Sequence, residues 1–598
     1  MPTRSPQPQY FAGKALLLGC FCFATVFTTF AQATNDARRG EKLDRALIAR
    51  AVGNVHQKGG RVYLGWRLLK SDPADVTFNV FRRSGDASAV KLNNRPISST
   101  TDYLDDSAPK NVELTYFVRA VASGKQGPPS REARVTASAA KSSPYISIKL
   151  DGDYKFQKVG IADLNGDRRY DYVVKQPSDN IDPWYKYWKP SPDTYKLEAY
   201  DHHGRFLWRH DLGWAIERGI WYSPYVVYDL DGDGRAEVAV KTGEGDPRDK
   251  DGKVQTGPEY LTILDGTSGK PITRVDWPSR EGFTGKWAYN YASRNQLCVA
   301  YLDGKNPALI VERGTYNTIK LAAYTLEDGR LRELWRWDNR KQPKEYWGQG
   351  AHWMHAADVD ADGRDELVIG SAVIDDDGTS LWSTGLRHPD HCYVGDIDPS
   401  RPGLEIYYGI EPGRKSNTMC LVDARTGKIL WGHDKPTRHI HNSGLCADID
   451  ASRPGWECYS GERDLKDKRW LRDCRGNIIS TKDLGGLGPH SVYWDADLQR
   501  EMLVKGRIFD YGKKNVQQRV DGNVAAVADI LGDWREEIVV STPGELRIYT
   551  TTTSAADRRV CLMQDPIYRM DVVVAAMGYF QVPMLSYDPQ SKGMPKGE

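Results

Sequence analysis

The sequence predicts an all-β chain: an eight-bladed β-propeller with an N-terminal fibronectin type III-like β-sandwich. One observation behind this is an acidic loop, D-x-[DN]-x-D-x-x-x-[DE], that runs into a β-branched strand and recurs along the chain. A second is that the loops are followed by pairs of strands around a Gly turn. A third is composition, since 56 Gly, 32 Tyr and 18 Trp in 598 residues suit short strands, tight turns and rings that can stack on sugars.

Residues 1–33 read as a signal peptide. The apolar run "KALLLGCFCFATVFTTFAQA" follows Arg4 and Lys14 and ends at a small-x-small site, Ala31-Gln32-Ala33. The mature chain is therefore expected to be secreted or periplasmic, with a lipid anchor at Cys20 of "LLLGC" as the alternative. No later stretch is long and apolar enough to span a bilayer. Of nine cysteines, Cys20 and Cys22 fall in the leader, and the other seven are scattered with no CxxC pair. That marks neither a disulfide framework nor a thiolate zinc site. With 82 Lys+Arg against 80 Asp+Glu there is no global basic field, so nucleic acid is not an expected partner, and a monomer is expected.

Residues 44–141 carry "RVYLGWRLLKSD", "VTFNVFRRSG" and "LTYFVRAVAS", alternating strands of a small sandwich that should form a separate module. Residues 145–588 carry the blades. "ADLNGDRRYDYVV" (162–174), "YDLDGDGRAEVAV" (228–240) and "ADVDADGRDELVI" (357–369) share the full acidic pattern. "GDIDPSRPGLEIY" (395–407) and "ADIDASRPGWECY" (447–459) are the same unit with one inserted residue. Weaker copies at 300–312, 494–504 and 528–540 bring the series to eight. An EF-hand would need flanking helices and a Glu at the twelfth loop position, whereas here strands flank the loop and the acid comes at the ninth.

Oxygen ligands at loop positions 1, 3, 5 and 9 converge on a sphere and suit Ca²⁺, several ions in all and mainly structural. The complete sets are Asp163, Asn165, Asp167 and Asp171; Asp229, Asp231, Asp233 and Glu237; and Asp358, Asp360, Asp362 and Glu366. The variant sets are Asp396, Asp398 and Glu405; Asp448, Asp450 and Glu457; and Asp529, Asp533 and Glu537. A catalytic carboxylate pair would occur once, whereas an ion that staples a blade recurs with the blade.

In a propeller the acidic loops lie at one end of the axis, and the segments entering first strands and leaving second strands lie at the other. That other end collects His352, His355, His388, His391, His439, His441 and His490. Lys175 and Lys241 join them, as do Arg218, Arg313, Arg387, Arg438 and the rings of Trp184, Tyr185, Trp188 and Trp221. A basic funnel flanked by aromatics suits an acidic polysaccharide. His352, His355, His388, His391, His490, Arg218, Lys175 and Trp221 are the expected substrate-binding residues. Uronate chains are cut by β-elimination when a cation neutralises the carboxylate, a base takes the C5 proton and an acid meets the leaving O4. Hydrolysis would need two carboxylates facing the sugar, and the acids in view are mostly in the loops at the far end.

The motifs "GRVYLGWRLL", "VVYDLDGDGRAEVAVKT", "GQGAH", "STGL", "VGDIDPSRPGLEIY", "LGDWREEIVV" and "YRMDVVVAAMGYFQVP" occur in order and resemble the rhamnogalacturonan lyases of polysaccharide lyase family eleven. The likeness runs from about residue 44 to 587. It implies a secreted, calcium-bearing eight-bladed lyase that cleaves rhamnogalacturonan I between rhamnose and galacturonate. By the resemblance, Gln349, Gly350 and His352 match a Gly-Gln-Gly-x-His motif, Lys241 and Thr242 a Lys-Thr pair, Arg313 an Arg-Gly-Tyr segment, and Tyr579 a tyrosine near substrate. Two regions depart. "QRVDGNVAAVADI" carries Asp521 and Asn523 where the family has a catalytic lysine, and Asn442 and Ser443 stand where it has an arginine. The catalytic set expected here is therefore His439 or His441 as base or carboxylate ligand, with Tyr579, Lys241 and Arg313. The alternatives are a lyase for another rhamnose-uronate glycan such as ulvan, a non-catalytic glycan-binding propeller, and a zinc site of His388, His391, His439 and His441.

Overall fold

The protein was analysed as a computed structural model that describes residues 38–52, 60–137, 143–513 and 515–590. The expected leader, with Cys20, lies outside them. The architecture is all-β. Two sheets come first: a three-stranded one of Ile48–Ala51, Gly60–Gly65 and Asp102–Ala108, and a five-stranded one centred on Thr77–Ser84 and Glu113–Ala122. Alternation drives their packing, because Leu114, Tyr116 and Val118 turn inward together with Phe78 and Val80, and Trp66 meets Phe78 edge-on at 5.5 Å.

Eight four-stranded antiparallel sheets complete the described chain. The first is Lys158–Ala162, Asp171–Gln176, Lys196–Tyr200 and Phe206–Asp211, paired in that order. Its first strand is buried on both faces, while its fourth is half-buried or exposed apart from Trp208, so the core sits on the side of the first strands. The first strands of the first five sheets touch in turn, and that of the first sheet also touches that of the eighth. The eighth sheet joins Asn523–Ala528, Glu537–Thr542 and Glu545–Tyr549 to Tyr145–Lys149 from ahead of the first sheet, with Ile146 opposite Ile548. The acidic loops connect first to second strands throughout.

Two features go beyond the expectation. The N-terminal sheets, expected as a module of their own, are bonded to the eighth sheet. Tyr63 donates to Asp533 at 2.9 Å, Arg67 donates to the Ile530 carbonyl, and Trp66 shares a core with Ala528 and Trp534. Polar groups buried as deeply as Tyr63 and Arg67 need partners, and the eighth sheet provides them. The second feature is a helix, Pro566–Val574, which starts on an Asp565 cap accepting from the Tyr568 N–H at 2.9 Å, with proline in its first turn. It lies against the first strands of sheets one to four and eight, and all its residues after Pro566 are buried.

Candidate active site

The strand Gly350–Ala357 carries His352, and the next sheet opens with His388 just ahead of Pro389–Gly395, whose second residue is Asp390. The His388 Nδ1–H donates to the Gly350 carbonyl, which fixes the tautomer and leaves the Nε2 lone pair facing away from that strand. That Nε2 lies 3.6 Å from Glu411 Oε2 and 4.0 Å from Asp390 Oδ1, and His352 Nε2 is 3.5 Å from the same Asp390 oxygen. His388 Nε2, Asp390 Oδ1 and His352 Nδ1 are buried without a hydrogen-bond partner. The orphaned His388 Nε2 and Asp390 Oδ1, with His352 Nε2 beside them, offer imidazole nitrogens and a carboxylate oxygen that fit a divalent cation. Burial, then the neighbouring His388, pushes His352 well below the usual imidazole value, which keeps the ring neutral.

His439 and His441 stand beside this cluster. Isolated bridges tie His439 to Pro412 and Ile440 to Glu462, and the Glu462 carboxylate accepts the N–H groups of Arg438 and His439 at 2.8 and 2.9 Å. With Ile440 buried between them, the two histidines lie on the same side of this extended segment, their rings 5.0 Å apart. His439 Nε2 is 3.1 Å from Glu411 Oε1, and His441 Nδ1 is 2.7 Å from Asp390 Oδ2. Asn442 follows in a left-handed conformation at φ 69°, which asparagine tolerates better than most residues. Its N–H donates to Asp390, and its carbonyl accepts from His391 Nδ1 at 2.6 Å. Consecutive residues of one strand thus grip both sides of the turn that presents His441.

Burial alone would raise the Asp390 carboxyl, but the hydrogen bond from His441 and the nearby imidazoles hold it well below the usual carboxylate range. Burial likewise opposes protonation of His441, and the Asp390 bond outweighs it, raising the imidazole above its ordinary value. The His441 side chain is 32% exposed, and its contacts with Asp390 and with His439 Nε2 at 3.3 Å both use Nδ1. Nearby, Trp221 meets His352 at 4.8 Å and Tyr579 at 5.3 Å, and the Tyr316 hydroxyl is 3.4 Å from His352 Nε2. Burial pushes the Tyr579 hydroxyl well up, so it stays protonated and able to donate.

Several expected site residues do other work. Lys241 is 2.9 Å from Glu259, which also receives Arg280 and the buried Arg313, so these two expected catalytic cations are bound up in one ion cluster. Lys175 is buried, donates to the Ser223 carbonyl and lies over the Tyr195 ring at 4.7 Å. Arg218 is buried against Asp179 at 3.0 Å. His355 bridges Asp571 of the helix at 2.7 Å and the Cys392 carbonyl at 2.9 Å. His391 donates from Nδ1 to the Asn442 carbonyl and packs on Tyr407. His490 meets Phe580 edge-on at 4.5 Å. Long cations and imidazoles buried between sheets must be paired, which is why position at this end did not by itself give access to a ligand.

Asp390, Glu411, Tyr316 and Arg294 were not among the expected site residues. Asp390 carried a readable signal, an acid two residues after His388 and directly before His391 in "RHPDHC". It also corrects the expectation that acids lie mostly at the far end, because two carboxylates face this cluster.

At that far end, the ligand atoms of Asp229, Asp231 and Glu237, and those of Asp358, Asp360 and Glu366, come together in two compact groups. The ninth-position acid uses one oxygen to accept the N–H of the second position, as Glu366 does from Val359 at 2.7 Å and Glu237 from Leu230 at 2.9 Å. The remaining oxygens Glu366 Oε1 and Glu457 Oε1 are buried and unpartnered, as are Asp396 Oδ1, Asp448 Oδ1 and Asp529 Oδ1. Burial first, then the neighbouring carboxylates, pushes Glu237 up to about 8 and Glu366 to about 9. Oxygen-only groups of this kind fit hard cations. In the last loop the Asp533 carboxylate accepts from Arg535 and from the Tyr63 hydroxyl.

Comparison with known proteins identifies the family. Residues 144–596 match the profile described as "Rhamnogalacturonan lyase family 11, C-terminal domain", and residues 38–136 match "Rhamnogalacturonan I lyases beta-sheet domain". The chain is 36% identical to rhamnogalacturonan endolyase YesW of Bacillus subtilis over 93% of its own length and 92% of the relative's. It is 33% identical to rhamnogalacturonan exolyase YesX of the same organism, over 92% and 95%. The crystal structure of YesW superposes with a TM-score of 0.84, covering 94% of this chain and 99% of the other. A rhamnogalacturonan lyase from Bacillus licheniformis gives 0.83 at 34% identity, covering 92% and 97%. The chain belongs to rhamnogalacturonan lyase family 11.

Proposed function

We propose that this polysaccharide lyase, which cleaves rhamnogalacturonan I, works by β-elimination with His441 as its base. The single observation that carries the assignment is the 2.7 Å bond from His441 Nδ1 to Asp390, which leaves Nε2 open. A divalent cation held by His352, His388, Asp390 and Glu411 would neutralise the uronate carboxylate and so acidify C5. His441 Nε2 takes the C5 proton, and Asp390 stabilises the resulting imidazolium. The C5–H electron pair becomes the C4–C5 double bond as the C4–O4 bond breaks. Tyr579, packed on His352 at 4.8 Å, donates the proton that O4 needs on leaving with rhamnose. His439, bonded to Glu411, holds that carboxylate toward His388.

The same reading extends to the scaffold. Eight four-stranded sheets in succession, with the first strands of sheets one to five in contact in turn, that of the first also against that of the eighth, and the eighth completed by a strand from ahead of the first, support an eight-bladed propeller. The two alternating N-terminal sheets support a fibronectin type III-like sandwich. Orphaned oxygens in the acidic loops support several structural Ca²⁺ ions. The apolar run before residue 34 supports export. The test is His441→Gln on rhamnogalacturonan I, following the ultraviolet absorbance of the unsaturated uronate. Activity should fall by roughly 10²–10⁴ with the fold intact, and a variant that keeps more than about a tenth of wild-type activity would rule the base assignment out.

A further inference from the structure

The two most exposed of the large apolar and aromatic side chains, Tyr187 at 71% and Tyr185 at 60%, both belong to the loop between strands Asp171–Gln176 and Lys196–Tyr200. Clustered aromatic exposure on a folded surface marks a place where something binds. Trp184 of this loop stacks on Trp287 with centroids 4.5 Å apart and planes 16° apart, and Tyr185 meets both rings, at 5.0 and 5.4 Å. Trp287 comes from the third sheet's approach, just ahead of the short helix Ala288–Ala292, so the three rings are assembled from segments about a hundred residues apart.

The cluster is rigid. The Trp184 N–H donates to Asp182 at 2.7 Å, and the Tyr187 and Trp188 N–H groups both donate to the Trp184 carbonyl. Glu217 receives the Trp188 indole N–H at 2.9 Å and also the Tyr289 hydroxyl, which locks the loop to the helix segment. The cluster is also wired to the reaction centre. Asp182 pairs with Arg294 at 2.8 Å, and Arg294 lies over Trp221 at 5.0 Å, the ring that packs on His352. One cation, the exposed Lys286, stands over Trp287 at 4.9 Å.

We infer that Trp184, Tyr185, Trp287 and Lys286 form a second sugar subsite, which takes an acidic pyranose of the same chain remote from the bond being cut. The aromatic faces accept the apolar face of the ring, and Lys286 meets its carboxylate. A polymer that alternates rhamnose and galacturonate offers such a uronate at every second residue, so a chain seated at His352 presents further uronates to this platform. The inference rests on the reading of the chain as a rhamnogalacturonan I lyase. It adds that polymer length, beyond the residues at the scissile bond, contributes to binding.

The test compares wild type with Tyr185→Ala, Lys286→Met and Trp287→Ala by migration in gels containing rhamnogalacturonan I. The same proteins are assayed for KM and kcat on the polymer and on the shortest oligosaccharide that wild type cleaves. Each substitution should weaken gel retardation and raise the polymer KM roughly tenfold, with kcat and the short-substrate KM unchanged. Tyr185→Ala guards against misfolding, since its ring is mostly in solvent. Retardation and polymer KM within about twofold of wild type in all three variants, or equal changes on polymer and short substrate, would overturn the subsite. Retardation of a wild type that forms no unsaturated product would instead remove the lyase reading and leave the platform, provided the variants migrate freely.

Discussion

His441 and Asp390 share a 2.7 Å hydrogen bond, while the Asn442 N–H, one residue further on, donates to the same carboxylate. One oxygen of Asp390 thereby orients the histidine, and the other faces His352 and His388. A single side chain joins the carboxylate-neutralising half of the site to the proton-abstracting half. Asn442 enters the left-handed turn that aims His441, a conformation that asparagine adopts more readily than most residues.

That coupling predicts strong non-additivity. Asp390→Asn removes both functions of the carboxylate and should lower kcat at least as far as His441→Gln, each by roughly 10²–10⁴. The double variant should be little worse than Asp390→Asn alone, because residues that act as one unit lose the unit only once. Single-turnover rates of unsaturated product formation for the three variants decide it, and multiplicative losses would mean that the two residues act independently.

Lys241 separates a catalytic from a structural role. It is buried, and its ammonium pairs with Glu259, which also holds Arg313. Lys241→Met should lower the thermal midpoint and leave kcat per folded molecule unchanged. Glu259→Ala should be the harsher change, since it strands three cations and costs about 3–5 kcal/mol or more. Thermal melts alongside kcat would read this directly, and a loss of kcat without a loss of stability in Lys241→Met would return the lysine to the chemistry.

Chelation should destabilise the whole scaffold. Glu366 and Glu457 each keep a buried oxygen with no protein partner, so an ion bound there in the folded state alone adds stability by mass action, about 2.7 kcal/mol per site at a hundredfold excess over Kd. A calcium-selective chelator should lower the midpoint of wild type by many degrees, and of Glu366→Gln by less. An unchanged midpoint after chelation would show that the loops hold no ion that matters to folding.

Much of this architecture was legible because it repeats. The acidic loop recurs with the sheet, and its spacing named ninth-position acids such as Glu366, one of whose oxygens is orphaned in the fold. The site was less legible because it is assembled across sheets. Position at one end of the sheets picked out His352, His388, His439 and His441 together with His355 and His391, and nothing local tells a ligand-facing imidazole from one buried on Asp571 or on a backbone carbonyl. The helix was hidden for another reason. "IYRMDVVVAAM" is apolar and β-branched enough to read as a strand, and only the Asp565-Pro566 start signals a helix. Its burial against several sheets at once overrides the weak local preference.

The His355–Asp571 pair, which fastens that helix, gives a stability prediction with a definite sign. Burial opposes the charged imidazole, but the Asp571 carboxylate and the Cys392 carbonyl receive both ring nitrogens, and the pKa rises from 6.5 to about 10. A histidine raised in this way binds its proton more tightly in the folded state. Its contribution is fully present below about pH 6.5 and is lost as pH climbs through 10. The thermal midpoint of wild type should therefore decline across that window even where the carboxylates are all ionised. His355→Gln, which can keep one hydrogen bond but cannot titrate, should begin lower and decline less steeply. Asp571→Asn should behave the same way at alkaline pH and lose most at neutral pH, because it leaves a buried imidazole without its counter-charge. Midpoints measured from pH 6 to 10 for the three proteins check the sign, and parallel curves would show that the pair is neutral in the folded state.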